Sequence, residues 1–300
     1  MSAEAAVTPL AVAGIPFVHE AEENIPAPRF ITPGWPGTVV TDDPIRVRHM
    51  VGSTDPAGLI PLMTGLPPLG VYYMDASRNL AIRSRGMEHA GDLAQLLRTR
   101  RGGFEYAISY ETAADAPRLQ WGWHRTIFMF ALPLRRKGLL VHAAGFVLPT
   151  GVAVVCPGVS GAGKSTLAQT LVRDDGPRVQ VLGDDRIAVT LEGSALRAWG
   201  TPWHSSAGTA AALDAPAGAI VFVRHGRDAS LAPLPARAVV PRLLRTVAIP
   251  FWDRSATEFA LDVVERIVTT MPAFEFTYSP VPGAGRVLTD SLLDALRATG

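Results

Sequence analysis

Gly158-Val159-Ser160-Gly161-Ala162-Gly163-Lys164-Ser165 reads G-x-x-x-x-G-K-S, the spacing of a phosphate-binding loop. The residue types are those the chemistry needs. Glycine lets the backbone turn its N–H groups inward with no Cβ in the way. A helix starting where the loop ends adds about half a positive charge aimed at a bound anion. Lys164 then reaches the β- and γ-phosphates of a nucleotide, and Ser165 offers its hydroxyl to Mg²⁺. The flanks agree. Val152-Ala153-Val154-Val155 reads as a strand entering the loop, and 165–172 as a helix leaving it, with Leu167, Leu171 and Val172 on one face. The expected nucleotide cradle is therefore Gly158, Val159, Ser160, Gly161, Ala162, Gly163, Lys164, Ser165 and Thr166.

Working outward, Val179-Gln180-Val181-Leu182-Gly183 is a short apolar strand that ends in Asp184 and Asp185. One helix and one return strand separate these carboxylates from Lys164, which places them near the loop if the strands are neighbours. A carboxylate there can hold Mg²⁺, directly or through water, or take the proton of an attacking hydroxyl. Upstream, Leu139–Val147 and Gly151–Val155 read as two strands joined by a Pro149-Thr150-Gly151 turn. Downstream, Ala219–Val223 is wholly apolar, as a central strand is. Arg224, His225 and Arg227 follow it, either to meet phosphates or an acidic substrate, or as solvated loop charges. Thr201, His204, Ser205 and Ser206 cluster beside Trp203, as an acceptor pocket or as capping hydroxyls. Arg242 and Arg245 read as the solvated face of a helix over Val239–Val247. Phe251-Trp252 reads as core, and 261–270 carries apolar residues at helical spacing.

Composition bounds the answer. A chain of 300 residues suggests about two domains. A content of 48% hydrophobic and 18% charged residues excludes a disordered chain. The net charge of +1 provides no basic field for nucleic acid. The one cysteine, Cys156, excludes an internal disulfide and fits a reducing compartment. His19, His49, His89 and Cys156 show no metal-ligand spacing. The lysines are Lys137 and Lys164 alone. The longest apolar stretch, 139–155, is interrupted by His142, Gly145, Pro149 and Gly151, whereas a bilayer needs about 20 mostly apolar residues. No basic segment precedes the apolar part of the first residues, so no signal peptide is read. A cytoplasmic protein without membrane or nucleic-acid partners is expected.

The expected domains are an irregular lead-in over 1–38, rich in Pro and Gly; a small α+β domain over 39–120; and a P-loop domain over 121–300. In the second, strands are expected at Thr38–Thr41, Ile45–Val51, Gly70–Met74, Leu80–Ile82 and Tyr106–Tyr110, with a short helix over Asp92–Arg98. The polar stretch 111–121 marks the boundary, and a helix follows over His124–Leu134.

His142 in Leu140-Val141-His142-Ala143-Ala144-Gly145, the GVSGAGKST loop and the Leu182-Gly183-Asp184-Asp185 strand end together resemble the HPr kinase/phosphorylase group and its HPr-kinase-like relatives. These share a P-loop core with the ATP-dependent phosphoenolpyruvate carboxykinases. The likeness runs from about Leu139 to about Ser279, including Gly200-Thr201-Pro202-Trp203 and Pro272-Ala273-Phe274-Glu275-Phe276. It implies an α/β fold, α+β overall, with a P-loop core of the HPr kinase/carboxykinase type. It also implies roles. Asp184 matches the catalytic aspartate that takes the proton from a serine hydroxyl. Asp185 matches the acidic residue near the metal, beside Ser165. His142 matches a histidine close to the phosphates, with Lys164 completing the catalytic set. ATP and Mg²⁺ are the implied cofactors, and a homo-oligomer is allowed.

The departures matter. No Glu-Ile-Arg-Gly-Leu-Gly-like segment, tied to phosphorylase activity in the HPr enzymes, follows the paired aspartates. Thr166 stands where those enzymes carry Glu. A true HPr enzyme is therefore not expected. The reading that results is an ATP-dependent kinase acting on a Ser or Thr hydroxyl of a peptide or protein. The alternatives are a nucleotide-dependent regulatory module with weak ATPase activity and a kinase of a small hydroxyl compound. An ABC-type ATPase is disfavoured because no LSGGQ-like segment follows the loop.

Overall fold

The computed structural model describes residues 10–22, 24–25, 35, 44–53, 55, 58–64, 71–76, 79–85, 94–100, 104–205 and 207–299. The chain is mixed α/β and divides into two compact units, Met1–Arg135 and Arg136–Gly300. The division falls after the helix that follows the polar 111–121 stretch. Thr38–Thr41, His89 and Ser206 lie outside the described residues.

The first unit holds β1 (Leu10–Val12), β2 (Ile15–Ala21), β3 (Ile45–Val51), β4 (Ile60–Thr64), β5 (Val71–Met74), β6 (Leu80–Arg85), β7 (Ala94–Arg100), β8 (Glu105–Tyr110) and helix α1 (Ala116–Leu134). They form one sheet in the order β1-β2-β3-β8-β7-β6-β5-β4. In β3 the alternation expected for a half-buried strand is met, with Ile45, Val47 and His49 buried and Arg46 and Arg48 exposed.

Two expectations are corrected here. Residues 10–21, read as part of an irregular lead-in, form β1 and β2, because Ile15, Phe17 and His19 place a buried row beside β3. The DLAQLLR segment, read as a helix, is the strand β7 from Ala94 onward. So short a helix is marginal in water, whereas β7 is hydrogen-bonded on both sides, with Leu97 opposite Ile82 and Ile108. The boundary read over 111–121 moves to Arg135, because α1 already starts at Ala116 and stays with the first unit. On α1, Trp123, Ile127 and Phe128 are buried, and Phe128 meets Phe17 of β2. Each such side chain contributes about 2–3 kcal/mol through burial.

The second unit holds β9 (Gly138–Val147), β10 (Ala153–Pro157), α2 (Lys164–Asp175), β11 (Gln180–Gly183), β12 (Arg186–Glu192), β13 (Ala195–Gly200), β14 (Asp214–His225), β15 (Ser230–Pro233), α3 (Ala236–Leu244), α4 (Arg254–Thr270), β16 (Ala273–Tyr278) and α5 (Ala284–Thr299). Lys137, just before β9, is exposed. Two long strands organise the sheet. β9 pairs with β12 through its first half and with β10 and β11 through its second. β14 pairs in turn with β13, β10 and β16. The pairings β10–β9–β12–β13–β14 therefore close on themselves through the parallel β10–β14 pair. Ala219–Val223 sits at the centre, as its unbroken apolar run requires.

Each face has its own core. One joins Leu139, Val141, Val155, Ile187 and Ile220 to Phe259, Val263 and Ile267 of α4. The other joins Phe146, Val154 and Val221 to Leu167 and Leu171 of α2 and Leu288 and Leu292 of α5. Asp253 caps α4 by accepting a hydrogen bond from the Ala256 N–H at 2.9 Å. Phe251, expected in the core, is 47% exposed and packs edge-on against Trp252. No helix among the described residues is long and apolar enough to cross a membrane.

Candidate functional site

β10 delivers the chain to Pro157, the loop 158–163 follows, and α2 begins at Lys164. Gly161 and Gly163 hold φ of +79° and +92°, the left-handed region open to glycine. A Cβ on Gly158 would come 2.8 Å from that of Ala162. The loop folds back on itself through Ala162 N–H to Val159 O (3.1 Å) and is tied to β9 through Gly158 N–H to His142 O (3.1 Å). The first helical bond of α2 runs from Leu167 N–H to Gly163 O at 2.9 Å. The N–H groups of 163–166 thus precede any intrahelical acceptor and stand at the positive end of the helix.

Lys164 is buried, and its Nζ donates to Val159 O at 3.1 Å. Burial pulls its pKa down to about 8, Arg186 adds to the fall, and Asp185 and then Asp184 oppose it. Asp185 Oδ1 accepts from Arg186 Nη1 at 2.7 Å and lies 3.2 Å from His142 Nε2. Burial lowers the His142 pKa below its usual 6.5, and the Asp185 contact only partly restores it.

Asp184 faces elsewhere. Its carboxylate is fully buried and accepts twice from Ser205: from N–H at 3.0 Å and from Oγ at 2.5 Å. Ser205 Oγ also lies 2.8 Å from Ser165 Oγ, and Ser165 Oγ is 3.4 Å from Asp184 O. Ser165 is thus joined to Asp184 through Ser205, while Asp185 is held by His142 and Arg186. His204 Nδ1 lies 2.8 Å from Ser205 O, and a carbonyl only accepts, so this nitrogen carries the proton.

No family model matches the chain, and a comparison with curated proteins finds no match.

Two groups of residues look different in the structure than in the sequence. Among the described members of the polar cluster, Ser205 is the one on the aspartate, while Thr201 is spent on Arg186 O at 2.7 Å. Arg186, not singled out from sequence, clamps Asp185, and its place directly after the acidic pair was the available signal. On the other flank, Arg242 and Arg245 are exposed, as a solvated helix face requires, and Arg242 has partners besides. It pairs with Glu275 at 2.7 Å and stacks on Phe222, while Arg224 reaches Glu275 from the far side. These four residues and Arg245 line a cavity of about 270 Å³ that adjoins Gly158, Val159 and Ala162. His225 packs against Gly163, where a Cβ would stand 3.3 Å from its Cε1.

Proposed function

We propose that this protein is an ATP-dependent phosphotransferase of HPr-kinase-like type that phosphorylates a Ser or Thr hydroxyl of a peptide or protein. The observation that carries the reading is the Ser165–Ser205–Asp184 arrangement. A hydroxyl sits on a buried carboxylate and beside the loop serine, the place an acceptor hydroxyl would need.

The loop fits the nucleotide it would hold. Gly161 and Gly163 take the left-handed backbone that the loop needs, and the start of α2 supplies N–H groups ahead of its first intrahelical bond. Gly158 to Thr166 would hold the phosphates of ATP, and Ser165 with Asp185 would hold Mg²⁺. When bound, Mg·ATP supplies the phosphoryl group and part of the charge neutralisation. The chain's own work is positioning and electrostatics. Lys164 and the helix N-terminus stabilise negative charge. His142 and Arg186 orient Asp185. Asp184 accepts the proton of the incoming hydroxyl once Ser205 yields its place. The basic cavity beside the loop suits an acceptor segment that carries acidic residues.

Incubation of the chain with γ-labelled ATP, Mg²⁺, a panel of Ser-containing peptides and a cell lysate tests the reading, with Lys164→Ala alongside. Label on a discrete acceptor, absent with the variant, is expected. Hydrolysis without an acceptor would point instead to a nucleotide-dependent regulatory module.

A further inference from the structure

The first unit brings together three histidines that the sequence scatters. His19 on β2, His49 on β3 and His124 on α1 are 4%, 0% and 1% exposed. One ring nitrogen from each lies within 4.8 Å of the others. The rings converge, with centroids 4.7 Å apart for His19 and His124, 5.4 Å for His19 and His49, and 5.8 Å for His49 and His124.

The geometry is that of a metal site more than of apolar packing. His19 Nδ1 and His49 Nε2 are 3.1 Å apart. Zinc–nitrogen bonds of about 2.0–2.1 Å set tetrahedral ligand nitrogens about 3.4 Å apart, so this pair already spans one edge of a coordination tetrahedron. The third nitrogen, within 4.8 Å of the other two, comes into range by a side-chain shift of at most about 1.4 Å. The far nitrogen of His49 is 2.9 Å from Tyr110 Oη, the outer hydrogen bond that fixes ring and tautomer in metal-ligating histidines. Stacking of His49 on Tyr110 and of His19 on Phe17 holds both ring planes. Burial also keeps the imidazoles neutral, the ligating form: it lowers the pKa of His19 to about 3 and of His49 to about 4, and holds that of His124 well below the usual 6.5.

We propose that His19, His49 and His124 form a binding site for one divalent transition-metal ion, with zinc as its first probe. The ion ties β2, β3 and α1 together and leaves a fourth position for water. The proton count closes without a co-reactant. In the metal-free cluster one proton lies between His19 Nδ1 and His49 Nε2. On binding, both nitrogens turn lone pairs to the metal, and that proton moves to the far nitrogen of the same ring. Binding at neutral pH therefore releases no proton from these two rings. The site does not depend on the phosphotransferase reading.

The test uses the whole chain, unfolded with a chelator and refolded with Zn²⁺, with Co²⁺ or with neither. Elemental analysis is expected to find one metal ion per chain after exhaustive dialysis. Co²⁺ is expected to give the visible absorption of a low-symmetry, nitrogen-ligated ion. Zn²⁺ is expected to raise Tm by about 5 °C over the metal-free chain. His124→Leu and His49→Phe are expected to lose metal and Tm increment together. If both variants fail to fold, the wild-type spectrum and stoichiometry still decide. Wild-type chain that holds neither ion after refolding overturns the proposal, and so does metal retained undiminished by a folded variant.

Discussion

The Ser205 hydroxyl lies 2.5 Å from Oδ2 of the fully buried Asp184. Such a carboxylate has no water to satisfy it, so its state is set by what hydrogen-bonds to it. A hydroxyl already fills that role, and its oxygen is also 2.8 Å from Ser165 Oγ.

If Ser205 holds the place of an acceptor, its hydroxyl is dispensable for transfer and useful for stability. Ser205→Ala is expected to lower stability by about 1–3 kcal/mol, because Asp184 loses a buried hydrogen bond. Transfer to an external acceptor should stay within a few-fold of wild type, with KM unchanged or lower. Thermal melts and steady-state kinetics check the two halves, and a loss of kcat would make Ser205 part of the machinery instead.

Asp184→Asn removes the proposed proton acceptor but keeps a polar group able to accept from Ser205. Transfer is expected to fall by about 10²- to 10⁴-fold, with nucleotide affinity within a few-fold by calorimetry. Transfer at the wild-type rate would remove Asp184 from the proposed role.

Gly163 has φ +92° and faces His225. Gly163→Ala is expected to cost about 1–2 kcal/mol through the left-handed backbone alone, and to abolish nucleotide binding as the loop relaxes. Normal affinity in this variant would mean that the loop's conformation is not what binds.

Lys164, with its pKa near 8, would give the proposed nucleotide binding a pH signature. Phosphate favours the ammonium form, so affinity is expected to be flat below about pH 8. Above it, affinity should fall by up to about tenfold per unit, until the raised pKa of the bound state is passed. His142 titrates below 6.5, outside this window. Stability runs the opposite way. The unfolded lysine keeps its proton to about 10.5, so between pH 8 and 10.5 the unfolded chain binds more protons. The penalty of burying the charge is then relieved as pH rises. Binding titrations at several pH values decide the matter.

The loop, its strand and its helix were legible because each demands particular residues: glycines where φ is positive, a lysine at one position, apolar residues on one helical face. Asp184 and Asp185 were legible as a pair, but their division of labour was not. It depends on Ser205, which only the fold brings to Asp184, and on which way the side chain of the adjacent Arg186 turns. The first unit was harder. β7 carries apolar residues at a spacing that suits either period, and the ladders on both sides decide it. The three histidines escaped because metal-ligand spacing is a local signal, and these ligands come from three elements far apart in the chain.

The chain's two lysines are chemically unlike. Lys137 is exposed, and Lys164 is buried with a pKa near 8. At mildly alkaline pH an acylating reagent meets an exposed amine at one and a buried amine whose pKa is lowered to about 8 at the other. Peptide mapping after such a pulse would give Lys137 as an internal standard. The modification ratio at Lys164 would then read out loop occupancy, with no activity assay and no engineered reporter.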